Sequence, residues 1–143
     1  DAIDAAIGIL NDLYYVCAPT PLQYAVAHTL DQIDASYFEG LRRDYAQKRD
    51  LLSGVCAELG GAPRIPAGAY YLMVEPRVPG KNAREKADHV LHQARVAGVP
   101  GSAFYADGGG EHLLRFSFAK TESDLNEAVR RLRGAFLAPE GRG

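Results

Sequence analysis

Arg115 is the residue whose chemistry is hardest to explain by packing alone. It lies in a predicted strand over 113–119, where Leu113, Arg115 and Ser117 alternate with the large apolar residues Leu114, Phe116 and Phe118. Because side chains two apart along a strand share a face, Arg115 is expected on the face opposite the apolar set. A buried arginine needs an anionic partner. That partner is either an acid from another element or a ligand carboxylate, which the planar guanidinium matches through two parallel hydrogen bonds.

Few other residues form a pattern that supports a catalytic or metal site. His89 and His92 are three apart on a predicted helix, but no third ligand follows at a suitable spacing, so we interpret both as solvated residues. The glycines at 108–110 lack the strand and helix around a phosphate-binding loop and predict a flexible connector. Tyr70 and Tyr71 are interpreted as strand core. The sequence predicts no catalytic residue and no metal site.

Composition and charge disfavour several classes of function. The chain has 143 residues, with 16 Lys and Arg against 18 Asp and Glu, and it has no basic block. Nucleic-acid binding by counterion release needs a concentrated basic face, so we expect no nucleic-acid partner. No run of about twenty apolar residues predicts a membrane span. Cys17 and Cys56 lack CxxC spacing and are expected to be buried and reduced, which favours a cytoplasmic location.

The spacing of apolar residues predicts helices in the first part of the chain. Short helices are predicted over 1–16 and 21–30, the second with Thr20 as its N-cap. A longer pattern predicts one helix of about 25 residues from Ala35 to Leu59. Gly60 and Gly61 end it, as glycine does when a left-handed cap is required.

Strands and helices alternate in the second part. Strands are predicted over 69–74 and 113–119, a strand or loop over 99–105, and helices over 83–97 and 121–136. Thr121 and Asp124 resemble a capping box at the start of the last helix. This order predicts an α+β fold, with a small mixed or antiparallel sheet packed with helices and preceded by a long helix.

Five segments resemble the C-terminal part of class I/II aminotransferases, which are pyridoxal-phosphate (PLP) enzymes of fold type I. The segments begin at Ala18, Tyr45, Pro66, Val99 and Leu114, and they read APTPLQYAVA, YAQKRDLL, PAGAYYL, VPGSAFY and LRFSFA. All five occur in the family's order, and the resemblance extends over almost the whole chain. The resemblance implies an aminotransferase small-domain fold.

The resemblance also implies a division of the chain. Residues 1–34 would be the end of a large domain, 35–60 the long interdomain helix and 61–137 the small C-terminal domain. Residues 138–143 are expected to be a frayed tail. The long helix, which is oversized for a lone domain, is explained as the connector.

Three site residues follow from the resemblance. Arg115 matches the arginine of the family's R-[FLI]-S-F strand, which binds the substrate α-carboxylate, and Ser102 and Phe104 match the segment that lies near the cleft. The implied substrates are an amino acid and a 2-oxo acid. The intact enzyme is expected to be a homodimer.

The cofactor PLP is implied for the parent enzyme. The family's cofactor lysine lies in a serine-rich stretch upstream of this region, and no lysine here has that context: Lys48, Lys81, Lys86 and Lys120. We therefore expect this chain to be a fragment that supplies carboxylate recognition and domain closure, binds no PLP by itself and is inactive alone.

Other interpretations stay open. The chain could be the small domain of a PLP-dependent lyase, or of a transcription regulator with an aminotransferase-like effector domain. It could also be a stand-alone α+β binding module in which Arg115 pairs internally with an acid. The amino donor and acceptor are not specified by these residues.

Overall fold

A computed structural model describes residues 2–15 and 17–137, which form two compact units with their boundary after Gly40. The first unit contains α1 (Ala2–Tyr15), α2 (Thr20–Gln32) and the start of α3 (Ala35–Glu58). No residue of α1 or α2 is buried. None of the helices in the described part of the chain combines the length and apolar composition needed to cross a bilayer. The predicted tail, 138–143, lies outside the described residues.

The start of α2 differs from the prediction. Thr20 is the first helical residue, and Pro19 is the N-cap. The Pro19 carbonyl accepts hydrogen bonds from the backbone N–H groups of Leu22 (2.9 Å) and Gln23 (3.2 Å). These are the two donors that a Thr20 hydroxyl would have capped. The cap therefore moves one residue towards the N-terminus.

The second unit is a four-stranded sheet packed with helices. Its strands are β1 (Ala62–Arg64), β2 (Tyr71–Glu75), β3 (Val99–Pro100) and β4 (Leu114–Ser117). They lie in the order β1-β2-β4-β3, and every pair is antiparallel. The α+β class and the antiparallel sheet are therefore confirmed. The helices are the second part of α3, α4 (Ala83–Ala94) and α5 (Glu122–Phe136), and a 3-10 helix (Gly101–Phe104) follows β3.

The core of this unit lies between one face of the sheet and the three helices. The sheet contributes alternate residues, Leu72 and Val74 from β2 and Leu114 and Phe116 from β4. The helices contribute their apolar stripes, which are Leu52, Val55 and Cys56 from α3, Ala87, Val90 and Ala94 from α4, and Leu125, Val129 and Leu132 from α5. The other face of the sheet carries no residue of this cluster.

The two cysteines differ in environment. Cys56 is a buried packing residue as predicted, and burial raises the pKa of its thiol to about 12, so the thiol is protonated at neutral pH. Cys17 is exposed, contrary to the prediction, because the helices around it bury no residue. Both thiols are free.

Caps and turns set the helix boundaries in the second unit. Gly60 follows α3 with φ +72°, the left-handed conformation that its position predicts. Thr121 caps α5, its hydroxyl oxygen accepting a hydrogen bond from the Asp124 backbone N–H at 3.1 Å. The Asp124 carboxylate accepts from that hydroxyl at 2.7 Å rather than from the Thr121 backbone, so only half of the capping box forms.

The helix predicted over 83–97 ends earlier than expected. Arg95 takes a left-handed conformation (φ 55°) after Ala94 and its N–H donates to the Leu91 carbonyl at 2.9 Å. The chain then enters β3 through Gly98, where a Cβ would lie 2.9 Å from the Phe116 ring. This close packing of backbone against the core requires the helix to stop before it.

We expect the sheet face in the core to dominate stability. Leu114 is fully buried, so Leu114→Ala should lower the free energy of unfolding by about 2–5 kcal/mol through lost burial and a residual cavity. Leu137→Ala, at a residue that is 45% exposed, is the matched control and should change it by less than about 0.5 kcal/mol. Urea unfolding of the chain measures both, and equal effects would contradict this assignment of the core.

An ion-pair network on α5 should make the stability of the fold depend on pH. Hydrogen bonds from Arg130, and then from Arg131, lower the pKa of Glu127 to about 2. Because the folded pKa lies below the unfolded one, the stabilising contribution is complete above about pH 4.5 and is lost as the pH falls towards 2. Glu127→Gln should therefore lower Tm at pH 6 and leave it unchanged near pH 2.

The control for this change is Glu122→Gln on the same helix, since Glu122 has no ion pair in the described residues. Circular dichroism melts from pH 6 to pH 2 check both variants. A Tm difference for Glu127→Gln that does not shrink on acidification would show that its arginine pairs do not stabilise the fold.

Candidate functional site

Arg115 lies on the sheet face that is turned away from the core. In register it is flanked by Met73 of β2 and Val99 of β3, while its neighbours Leu114 and Phe116 point into the core. Period-two geometry therefore places Arg115 as predicted. Its side chain is half-buried rather than fully enclosed.

The guanidinium group of Arg115 is held between two aromatic rings. Its Cζ atom lies 4.2 Å from the ring centroid of Phe104 and 4.8 Å from that of Tyr71. Phe104 follows β3 and Tyr71 belongs to β2, and these strands lie on opposite sides of β4. Both contacts are cation–π interactions, which attract the cation to the negative face of each ring.

Arg115 has no acidic partner in the described chain. Other arginines do form ion pairs, among them Arg133, whose Nε and Nη2 donate to Glu58 at 2.7 and 2.8 Å. No carboxylate or carbonyl of residues 2–15 and 17–137 accepts a hydrogen bond from the Arg115 side chain. Internal pairing of Arg115 with an acid, which the stand-alone module requires, is therefore unsupported there. Its N–H donors suit a ligand carboxylate.

The other two predicted site residues lie on the 3-10 helix. Phe104 is 45% exposed and supplies one of the two rings at Arg115. Ser102 lies two residues earlier on the same turn, is half-buried, and forms no side-chain hydrogen bond within the described residues. The structure thus joins Phe104 to Arg115 directly, whereas the role of Ser102 stays a prediction.

Two glycines hold the 3-10 helix against β4. The Gly101 N–H donates to the Leu113 carbonyl at 2.8 Å, and the Leu113 N–H donates to the Gly110 carbonyl at 2.9 Å. A Cβ on Gly101 would lie 2.6 Å from the Gly110 oxygen. Gly110 is buried and has φ +74°, so the end of the segment predicted as a flexible connector forms a specific turn. Gly108 is exposed with nothing within 4 Å of its Cβ position, and the flexibility of the segment stays a prediction.

The same turn explains why the prediction for Leu113 was wrong. Leu113 was expected on the face of Arg115, yet it is almost fully buried. It precedes β4 and belongs to the turn with Gly110 and Gly101, so the alternation of the strand does not extend to it.

Tyr71 is the site residue that sequence reasoning missed. It was interpreted as core, as was Tyr70, but Tyr70 is 54% exposed and Tyr71 lies on the face of Arg115. A signal was present, since Leu72 and Val74 occupy the opposite face of the same strand. The proximity of Tyr71 to Arg115 depends on the pairing of β2 with β4, which the strand pattern does not specify.

The histidines have local contacts. The His89 ring lies 5.8 Å from the ring of Phe136, and His92 Nδ1 lies 2.7 Å from the Asp88 carbonyl oxygen. Within the described ranges, no group of three or more His, Cys, Asp or Glu side chains is arranged to hold a metal ion.

The lysines do not fit a PLP site. A lysine that forms a Schiff base is activated by an apolar pocket or a neighbouring cation. Lys48 instead forms an ion pair with Asp44 at 2.7 Å, and Lys81 and Lys120 are exposed. Lys86 lies on α4 and is only half-buried. The environments described for these four lysines therefore differ from the enclosed apolar pocket that activates a Schiff-base lysine.

Comparison with known proteins identifies the class to which this chain belongs. The family model for aminotransferase class I and II matches residues 1–132. The chain belongs to this family.

Individual relatives agree with this assignment. The chain is 33% identical to aromatic-amino-acid aminotransferase 2 of Thermococcus litoralis over 117 residues, covering 81% of this chain and 30% of that protein. Among solved structures it resembles the aromatic aminotransferase of Pyrococcus horikoshii, with a TM-score of 0.75 and 32% identity over 87% of this chain and 33% of the other.

A third similar structure is the N-succinyldiaminopimelate aminotransferase of Mycobacterium tuberculosis, with a TM-score of 0.75 and 31% identity. The match covers 87% of this chain and 33% of the other. The chain thus spans about a third of the length of these relatives.

The placement of Phe104 should depend on Gly101. Gly101→Ala forces a Cβ against the Gly110 carbonyl and should lower the free energy of unfolding by about 1–3 kcal/mol. Gly54→Ala is the matched control, because nothing lies within 4 Å of its Cβ position on α3, and it should raise stability by about 0.5–1 kcal/mol. Urea unfolding measures both, and a neutral Gly101→Ala would show that the turn is not packed as described.

Proposed function

We propose that this chain supplies α-carboxylate recognition and domain closure in a PLP-dependent amino-acid aminotransferase. One observation carries the proposal: the Arg115 guanidinium lies between Tyr71 and Phe104, with no acid of the described residues to neutralise it. Family membership supports the proposed substrate class, which is an amino acid and a 2-oxo acid.

Arg115 acts as a fixed, two-pronged hydrogen-bond donor. Its two adjacent N–H groups bind the two carboxylate oxygens of the substrate in one plane. Such a bidentate pair sets both the distance and the orientation of the bound amino acid relative to the reacting groups. The rings beside Arg115 limit access of water to the pair, which strengthens it by lowering the local dielectric.

Phe104 and Ser102 are proposed to line the same cleft. Both sit on the 3-10 helix, which is anchored to β4 through Gly101. Closure of this unit over the substrate would bring Arg115 to the carboxylate and exclude water from the cleft. The long helix α3, 24 residues in length, is proposed as the connector for that movement.

The remaining parts of the activity are assigned to the parent enzyme. PLP binding and proton transfer are proposed to use residues outside this chain, since its lysines do not suit the cofactor. The chain alone is expected to show no transaminase turnover. A homodimer and a cytoplasmic location are part of this proposal.

The aminotransferase is favoured over the lyase and the transcription regulator. Every relative reported above is an aminotransferase by name. Their named substrates differ, so the proposal extends to the carboxylate that amino acids share and not to one side chain.

The test is Arg115→Lys in the full-length enzyme that contains this chain. Lysine keeps the charge but loses the planar fork, so kcat/KM for the amino acid should fall at least about tenfold, or about 1.4 kcal/mol. The matched control is Arg64→Lys, because Arg64 is exposed on β1 and shares a cross-strand row with Met73 and Arg115. Steady-state kinetics should leave that control within twofold of wild type, and an equally unaffected Arg115→Lys would remove Arg115 from the site.

A further inference from the structure

We propose that Tyr71 is a positioning residue for Arg115: together with Phe104 it fixes the plane of the guanidinium, so that only the outer edge is open to a carboxylate. This inference rests on the proposed function and deepens it. It assigns to Tyr71 a role that acts through another side chain and not on the reacting atoms.

The two rings reach the guanidinium from the two strands that flank β4. Tyr71 approaches from β2 at 4.8 Å and Phe104 from the β3 side at 4.2 Å, measured from Cζ to each ring centroid. A guanidinium has two faces and an edge, and only the edge carries N–H donors. On this proposal the two rings cover the two faces, which leaves that edge as the direction from which an acceptor can bind.

Tyr71 is itself held by its neighbours. Its ring meets the ring of Tyr70 edge to face, with centroids 5.3 Å apart and planes at 87°. The Tyr70 carbonyl accepts hydrogen bonds from the Phe118 N–H at 2.8 Å and from the Ser117 hydroxyl at 3.3 Å. The backbone next to Tyr71 is therefore tied to the strand that carries Arg115.

The ring and not the hydroxyl of Tyr71 is the feature that matters. No hydrogen bond of the Tyr71 hydroxyl occurs within the described residues, whereas the cation–π contact uses the ring face. An arginine side chain has many rotamers, and binding a ligand normally requires it to be ordered. Rings that hold one arrangement before the ligand arrives remove part of that cost and favour planar, bidentate carboxylates.

The experiment compares three variants in the full-length enzyme. Tyr71→Leu removes the ring, and Tyr71→Phe keeps it. Phe104→Leu removes the other ring, at a more exposed site. Each is assayed with an amino acid and with the amide of the same amino acid, which has no carboxylate. Met73→Leu is the matched control, because Met73 lies on the same face of β2 and pairs in register with Arg115.

We expect Tyr71→Leu to lower kcat/KM for the amino acid about tenfold and to leave the amide within about twofold. Phe104→Leu should show the same selective loss, and Tyr71→Phe should restore the rate with the amino acid. Met73→Leu should affect neither substrate. A loss with both substrates alike would mean that Tyr71 only maintains the fold, and would overturn the inference.

The outcomes separate this inference from the proposed function. If Arg115→Lys leaves the kinetics unchanged, the proposed function fails. If Arg115→Lys reduces the rate but Tyr71→Leu and Phe104→Leu match wild type, Arg115 binds the carboxylate without being positioned by the rings.

A second measurement uses the 143-residue chain itself. Ring currents from Tyr71 and Phe104 should shift the Arg115 Nε–H proton upfield in an NMR spectrum, and Tyr71→Leu should reduce that shift while Tyr71→Phe keeps it. An unchanged Arg115 signal in Tyr71→Leu would overturn the inference even if the enzyme variant does not fold.

Discussion

The antiparallel pairing of β2 with β4 is the interaction on which the rest of the second unit depends. It sets Leu72 opposite Phe116 and Met73 opposite Arg115. Because strand side chains alternate, one register buries the apolar residues against α3, α4 and α5 and places Arg115 on the other face. A slip by one residue would exchange the faces, bury a charge and expose the core. Core stability and the candidate site therefore share one constraint.

The two faces of the sheet have different requirements. The inner face needs close packing, which explains why Gly98 approaches the Phe116 ring. The outer face carries Arg115 against two aromatic rings, which attract the cation without neutralising it. Under the proposed function this leaves Arg115 available to a ligand carboxylate, for which an internal acid would compete. The two rings and the lack of an acid partner among the described residues together define the environment of the Arg115 side chain.

Family membership and the geometry around Arg115 agree, but they inform different parts of the proposed function. The family model matches most of the chain, while the chain itself spans about a third of its relatives. Under the proposed function, the fold and Arg115 serve recognition of the carboxylate that all amino acids share. Side-chain specificity and cofactor chemistry are then assigned to groups outside the described residues, among them a Schiff-base lysine.

The sequence alone was sufficient for the α+β class, the long helix with its glycine end and the face on which Arg115 lies. These features depend on local spacing, turn chemistry and period-two alternation, which can be recognised from the sequence alone. The resemblance predicted from its motif that Phe104 lies near the cleft. What it could not supply was the contact of Phe104 with Arg115.

Only the tertiary structure decided which residues surround that arginine. Tyr71 and Arg115 are 44 positions apart along the chain, and their contact exists because β2 pairs with β4. The turn at Gly110 and the burial of Leu113 likewise depend on the approach of Gly101, which lies 9 and 12 positions earlier in the chain. Periodicity determines which face a side chain takes, but strand order and register determine its neighbours, and these arise from packing of the whole unit.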